Sequence, residues 1–249
     1  DFESTNDGDV ENCWLQYNSY STLAYARVEA LSSTNATQPL SGSNVLEMYA
    51  YTSFSAGDTL VAISPEFGDM TAGDKQVRFH LASNDDANSL YIATMDNNTL
   101  NASITILDTI DIIASNTWQE VIYPLTTANG YNGTDTYIAL IHDLSGGTFD
   151  DIYIDDFNYE VIPACPKVTG VSFSNIGFDN ADMSYILNGD SLQLEWGPAG
   201  YTQGTGCVVS VANNGTININ NTLDPGCAIG LGASTTYDVY VRNNCTSSG

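Results

Sequence analysis

The chain has 249 residues, with 5 Lys+Arg against 30 Asp+Glu and a formal net charge of −25. Five basic side chains cannot line a nucleic-acid groove, because that binding runs on Lys and Arg displacing counterions from phosphates, and an anionic membrane surface repels such a chain. The 43% hydrophobic and 10% aromatic content is enough to order the chain, and no apolar run approaches the roughly 18 residues of a membrane span.

The chain opens on a strand-like Asp1-Phe2-Glu3 with no signal peptide before it, which reads as a mature or excised piece of something longer. Apolar residues then alternate with period two, the pattern of half-buried strands. Leu46 to Tyr51, Val77 to Leu81, Ser89 to Ala93 and Tyr137 to His142 all show it. Turn chemistry bounds them at Ala56-Gly57-Asp58, Asn129-Gly130 and Ser145-Gly146-Gly147, where Gly, Asn and Asp accept unusual backbone angles cheaply. No window of helical length carries a 3.6-residue period with caps, so the fold class is all-β, built from antiparallel sandwiches.

A boundary falls at Val161-Ile162-Pro163-Ala164-Cys165-Pro166, because two prolines stiffen the chain and interrupt a ladder. This predicts a first domain over 1–162 and a smaller second one over 163–249. Cysteine usage changes at the same place: Cys13 stands alone before it, and Cys165, Cys207, Cys227 and Cys245 follow. That density suits a disulfide-stapled domain in an oxidising compartment. Four cysteines allow three pairings; Cys165–Cys245, joining first and last strands, with Cys207–Cys227, flanking a hairpin, is favoured without being decided by spacing. Zinc is the weaker reading, since there is no CxxC and no His beyond His142.

Asp1-Phe2-Glu3 followed by Cys13-Trp14, together with Asp151-Ile152-Tyr153-Ile154-Asp155-Asp156-Phe157 at the far end, resembles the jelly-roll domains of the MAM and cleaved-adhesin type. Carbohydrate-binding modules share that topology. Gly42 to Tyr49, Ile63 to Phe67, Asn88 to Ala93 and Thr117 to Val121 continue the resemblance across the domain. After Pro163, Leu192-Gln193-Leu194-Glu195-Trp196 and Thr236 to Arg242 resemble a fibronectin type III-like domain, although the stretch from Gly204 to Gly226 departs from the simple repeat and leaves an immunoglobulin-like variant open. Such pairs occur in secreted cell-surface and gliding adhesins of the Bacteroidota.

The resemblance implies a structural Ca²⁺ site where the first and last strands meet. Glu3 with Asp155 or Asp156 would supply carboxylates, and carbonyls near Asp1 and Ser43 would complete the six to eight oxygens a hard cation wants. Strand alternation turns Asp155 and Asp156 to opposite faces, so one of the two would point at the metal. The oxygen-rich stretches Asn84 to Asn88 and Asn6 to Asp9 lack EF-hand spacing and read as solvated loops.

The catalytic inventory is thin. His80 and His142 fall in strands without a visible partner, and lone Cys13 has no cationic neighbour and reads as buried packing beside Trp14. Glycan binding has more support. Tyr49 and Tyr51 share a strand face beside Glu47, Arg78 and His80 share another, and Tyr91 and His142 would join them from neighbouring strands. Aromatic rings with polar neighbours hold sugars by stacking and directed hydrogen bonds; equally, tyrosines can simply cover a sheet. N-linked sequons start at Asn35, Asn101, Asn132 and Asn214. The Asp-Ser/Thr-apolar O-glycosylation pattern of the Bacteroidota falls at Thr59, Thr109 and Ser191. The expectation is a non-catalytic, calcium-stabilised segment of an extracellular cell-surface adhesin. Its partners would be glycans or surface proteins and neighbouring domains of a longer chain, with no nucleic acid and no membrane insertion. Two alternatives are a structural repeat segment of an extracellular stalk or filament, and an accessory carbohydrate-binding module of a secreted hydrolase.

Overall fold

The structure is a computed structural model that describes residues 2–11, 13–18, 24–31, 37–51, 57–85, 89–99, 101–144, 150–187, 190–213, 215–227 and 231–245. The chain divides into two compact units, Asp1–Ile162 and Pro163–Gly249. The described residues are all-β apart from single 3-10 turns at Met70–Ala72 and Thr127–Asn129.

The first unit has ten strands: β1 Leu15–Asn18, β2 Ala24–Ala30, β3 Asn44–Ala50, β4 Thr59–Ile63, β5 Lys75–Ser83, β6 Ser89–Met95, β7 Ile104–Asp111, β8 Gln119–Leu125, β9 Tyr137–Asp143 and β10 Asp150–Val161. They form two five-stranded sheets, β1-β4-β9-β6-β7 (the first sheet) and β2-β3-β10-β5-β8 (the second). Every pairing is antiparallel, and the chain passes back and forth between the sheets, giving a jelly-roll sandwich. In the second sheet Val28, Leu46, Met48, Val77, Phe79, Leu81, Ile152 and Ile154 point inward and are 0–1% exposed. They meet Leu60, Leu90, Ile92, Ile138 and Leu140 of the first sheet in one core.

The two sheets differ on their outer faces. The first is apolar on both sides, because Val61, Ile63, Ala93, Met95, Ala139 and Ile141 make a second buried layer packed under Tyr17, Tyr91 and Tyr137. The second sheet turns Tyr25, Arg27, Glu29, Glu47, Tyr49, Arg78 and His80 outward, as period-two alternation against its inward residues requires. Register in β10 shifts between Asp155 and Asn158, where Asp156 takes a left-handed φ of 52°. This bulge carries Phe157 onto the core face, where its ring lies 5.1 Å from Trp14 and 5.9 Å from Phe79.

The second unit has six described strands: β11 Thr169–Ser174, β12 Asn180–Ile186, β13 Ser191–Pro198, β14 Cys207–Val211, β15 Gly215–Asn220 and β16 Tyr237–Asn244. Two antiparallel sheets of three, β11-β12-β15 and β14-β13-β16, enclose Met183, Tyr185, Leu192, Leu194, Trp196 and Ile219. Among the described residues this is a smaller sandwich, with six strands against the seven of an immunoglobulin constant-type domain. Cys165 is bonded to Cys245 and Cys207 to Cys227, one of the three pairings four cysteines allow. Cys13, expected to be buried, is free and exposed. It occupies a turn at φ 65°, and its neighbour Trp14 takes the core position instead.

The disulfides close loops of different length, 80 residues for Cys165–Cys245 and 20 for Cys207–Cys227. Chain entropy then assigns about 4.5 kcal/mol to the first and about 3.3 kcal/mol to the second. Guanidinium denaturation of paired Cys→Ser variants is expected to show the larger loss for Cys165/Cys245, and the reverse order would show that native packing outweighs loop closure.

Candidate functional site

The second sheet's outer face is built from strands whose outward positions are mostly polar or aromatic. In β2, Tyr25, Arg27 and Glu29 alternate with buried Ala24, Ala26 and Val28. Register places Tyr25 beside Tyr49 and Arg27 beside Glu47, while Tyr49 and Glu47 face Asp151 and Tyr153 on the other side. The Tyr25 and Tyr49 rings lie 5.1 Å apart, and Tyr51, 53% exposed, extends the row at 6.4 Å from Tyr49. Arg27 stacks its guanidinium 4.0 Å over the Tyr25 ring and pairs with Glu29 at 2.9 Å. The Tyr153 hydroxyl donates to Asp151 at 3.0 Å.

Glu47 sits in the middle of this array and is buried. Its pKa is pushed up to about 7, chiefly by burial and then by the charges of Asp151 and Glu29, with Arg27 and the Tyr25 hydroxyl acting the other way. Near neutral pH this carboxyl is therefore partly protonated. It can donate or accept a hydrogen bond between aromatic rings, which is the chemistry that polyhydroxylated ligands need.

The residues expected to form a binding face do not form one platform. Tyr49, Arg78 and His80 belong to the second sheet and Tyr51 directly follows β3, but residues 37–43, ahead of β3, cross its middle. There Trp118 Nε1 donates to the Gln38 carbonyl, and Asp155 accepts from the Leu40 and Ser41 amides. Leu31, Val45 and Tyr153 pack beneath that crossing with Trp118. Arg78 lies about 20 Å along the strands from Tyr49, at ~3.3 Å per residue, where Gln76 and Arg78 both donate to Glu160. Tyr91 and His142 lie on the first sheet and on opposite faces of it, Tyr91 outward and His142 inward at 1% exposure. Neither joins the tyrosine row. Burial pushes the His142 pKa down to about 4, against the opposing influence of Asp143 and the Met48 carbonyl, so His142 is a neutral core residue.

The expected metal ligands converge on one loop, residues 40–44. Glu3 accepts from the Ser43 and Asn44 amides at 2.9 and 2.8 Å and from the Ser43 hydroxyl at 3.2 Å. These bonds keep its carboxyl below the ordinary range although burial opposes them. Asp155, wholly buried, accepts from Leu40 at 3.1 Å, from Ser41 at 3.0 Å and from the Asp156 amide at 2.7 Å. Its pKa is raised, with burial the largest cause. Asp156 accepts from the Ser41 hydroxyl at 2.8 Å and stands 3.8 Å from His80 Nδ1. The bulge thus overturns the expected alternation: both aspartates address the same loop. Asp1 lies outside the described residues. As placed, these acids make a clamp onto N–H and O–H donors; among the described residues no three of them bring oxygens within 4.8 Å of one another. The one trio of potential ligand atoms that lie so close among the described residues is Cys207, Asp224 and Cys227, and its two sulfurs are joined in a disulfide.

Of the O-glycosylation candidates, Thr109 is exposed on β7, while Thr59 and Ser191 are half-buried first residues of their strands. Asn101 and Asn132 are exposed; Asn35 and Asn214 lie outside the described residues. Tyr25, Arg27, Asp151 and Tyr153 were not among the expected site residues, although Ala24-Tyr25-Ala26-Arg27-Val28-Glu29-Ala30 alternates cleanly enough to mark a strand with a polar aromatic face.

No protein-family profile and no curated protein sequence matches the chain. Among solved structures, the K2 cleaved adhesin domain of Lys-gingipain superposes with a TM-score of 0.50 at 16% identity, over 64% of this chain and 95% of that one. The first unit shares the fold of that domain. The K1 cleaved adhesin domain of Lys-gingipain from Porphyromonas gingivalis W83 matches at TM-score 0.48 and 13% identity, over 62% and 94% of the two chains. A family 11 carbohydrate-binding module of a Clostridium thermocellum cellulosomal cellulase matches at 0.40 and 11%, over 62% and 91%.

Glu47 and His142 give stability opposite dependences on pH. A carboxyl raised from 4.5 to about 7 holds its proton better in the folded chain, so its contribution is present at low pH and lost as pH climbs through that window. A histidine lowered from 6.5 to about 4 is protonated more readily when unfolded, so its contribution is present at neutral pH and lost as pH falls. Each is worth about 3 kcal/mol. Urea titrations between the two ordinary values, 4.5 and 6.5, are expected to show Glu47→Gln gaining stability with rising pH relative to the parent, and His142→Leu losing it. Parallel pH profiles for all three proteins would contradict this assignment.

Proposed function

We propose that the first unit is a non-catalytic glycan-binding module of an extracellular, cell-surface adhesin. The observation that carries this reading is the row Tyr25, Tyr49 and Tyr51 flanked by Arg27 and the buried Glu47 on an otherwise polar sheet face. Stacking rings and adjacent hydrogen-bonding groups are what a sugar ring requires, and nothing in the row supplies an obvious nucleophile or a closed catalytic pocket. The shared fold with a domain named as an adhesin supports adhesion as the biological use. Two disulfides support an oxidising, extracellular setting. Among the described residues no helix is long and apolar enough to cross a membrane.

A glycan array probed with the 249-residue protein is expected to give a defined class of hits. Tyr49→Ala should weaken binding to the best of them by about tenfold, or about 1.4 kcal/mol, with circular dichroism unchanged. An array without hits, together with concentration-dependent self-association, would replace this reading with the stalk or filament one.

We also propose that a divalent cation, Ca²⁺ by ligand type, strengthens the 40–44 clamp. What favours it is a wholly buried Asp155 directly next to Asp156, two acids that a cation would make cohesive. When bound, the ion would draw on Glu3, Asp155 or Asp156 and loop oxygens. Chelator is expected to lower the melting temperature of the first unit by several degrees, and millimolar Ca²⁺ to restore it. An unchanged melting temperature would leave the hydrogen-bonded clamp sufficient by itself.

A further inference from the structure

The tyrosine row of the first unit stands in an unbalanced field of charge. The described charged side chains that β2, β3 and the adjoining end of β10 turn to this face are Glu29, Glu47, Asp151 and Arg27, three carboxyl groups against one guanidinium. Every other Lys, Arg and His of the unit is described and engaged elsewhere. Lys75 is paired with Asp69 and Asp74, and Arg78 with Glu160, while His80 stands by Asp156 and His142 is buried in the core. The residues of the unit outside the described ones contain no Lys, Arg or His. The excess of acid is therefore a property of the face.

Arg27 demonstrates what the row accepts. Its guanidinium lies 4.0 Å over the Tyr25 ring while Glu29 holds it at 2.9 Å, so a cation rests on an aromatic face with a carboxylate at its side. Arg27 is thereby committed within the chain, and an anionic ligand gains little from it. The next ring repeats the setting without a base of the unit over it. Tyr49 lies 5.1 Å from Tyr25 and 6.4 Å from Tyr51, stands opposite Asp151 in register and shares its strand face with Glu47. Tyr153 and Asn84, both neutral, donate to Asp151 at 3.0 Å and fix its carboxylate there. Glu47 feels the charges of Asp151 and Glu29, a repulsion that an added positive charge would relieve.

Resting on the glycan-binding reading above, we infer that the ligand class is a glycan of amino sugars with free, protonated amines. An ammonium group would seat over Tyr49 between Asp151 and Glu47, as the Arg27 guanidinium seats over Tyr25, and its sugar ring would stack on the exposed Tyr51. A neutral glycan can use the rings but leaves the three carboxyl groups facing one another. Uronic, sialic or sulfated glycans meet like charge at this face and a net −25 over the whole chain, whereas a cationic glycan is drawn in by both. Charge thus selects among sugars that the tyrosine rings alone would treat alike.

Tetramers of glucosamine, N-acetylglucosamine and glucose, all of one linkage, separate charge from shape. They are titrated by calorimetry into the 249-residue protein in a buffer below the pKa of the sugar amine. The glucosamine tetramer is expected to bind at least about tenfold more tightly than the other two, and the gap to close to about twofold in roughly 1 M salt. Asp151→Asn should bring it to within about threefold of the glucose tetramer, with circular dichroism unchanged. The salt series uses the unaltered protein, so the test does not depend on that variant folding. Equal affinity for the three tetramers would overturn the inference and leave the glycan-binding reading standing. Tetralysine binding as tightly as the glucosamine tetramer would also overturn it, because the face would then select charge without a sugar. Binding of none of the tetramers up to millimolar concentration would overturn it too, and only a blank glycan array would retire the broader reading with it.

Discussion

Carboxylates bound to backbone amides of the 40–44 loop hold the first unit in the form described. Glu3 reaches that loop from the start of the chain, and Asp155 and Asp156 reach it from the last strand. Three segments far apart in sequence therefore meet at one set of donors. A carboxylate accepting several N–H bonds is among the stronger arrangements available without a metal. Its strength is conditional here, because Asp155 is wholly buried and its charge is disfavoured by that burial. The β10 bulge belongs to the same arrangement. By bringing both aspartates to the loop it also sends Phe157 inward onto Trp14 and Phe79, so the polar clamp and the aromatic end of the core form together.

The loop has a second effect, on the outer face of the sheet it crosses. By covering Val45, Tyr153 and Asp155 it splits that face into two polar fields. One holds the tyrosine row with Arg27 and Glu47; the other holds Gln76 and Arg78 on Glu160. The apolar cover of the opposite sheet has no such character, since its outer layer is packed under Tyr17, Tyr91 and Tyr137. Keeping Glu47 buried among other acids weakens the fold at neutral pH, and a cost of that kind marks a place where side-chain chemistry is retained for some use other than packing.

Much of the architecture is legible in the sequence because strands with one polar face announce their period. β3 and β5 alternate visibly, and the stretch Val161 to Pro166 falls where the two compact units divide. What stayed hidden has physical causes. Tyr137-Ile138-Ala139-Leu140-Ile141-His142 is apolar on both faces because both faces are buried, so nothing in it says that His142 points into the core. The bulge at Asp156 breaks the parity rule within three residues, and its only local sign is a polar pair next to Phe157. Cys13 looks like a core residue by type, yet the chain turns there through φ 65° and spends the buried position on Trp14.

Gly42 adopts φ 57°, and a Cβ built there would lie 2.2 Å from Glu3 Oε1. Two positions thirty-nine residues apart in the chain are thus under a single steric constraint. In evolutionary terms they form a linked pair. A side chain at 42 would have to push the Glu3 carboxylate off the Ser43 and Asn44 amides, so the clamp loses its N-terminal acid even if that acid is kept in the sequence. The reverse does not hold: shortening the acid removes the clash and leaves the left-handed φ of 57°, which still favours glycine.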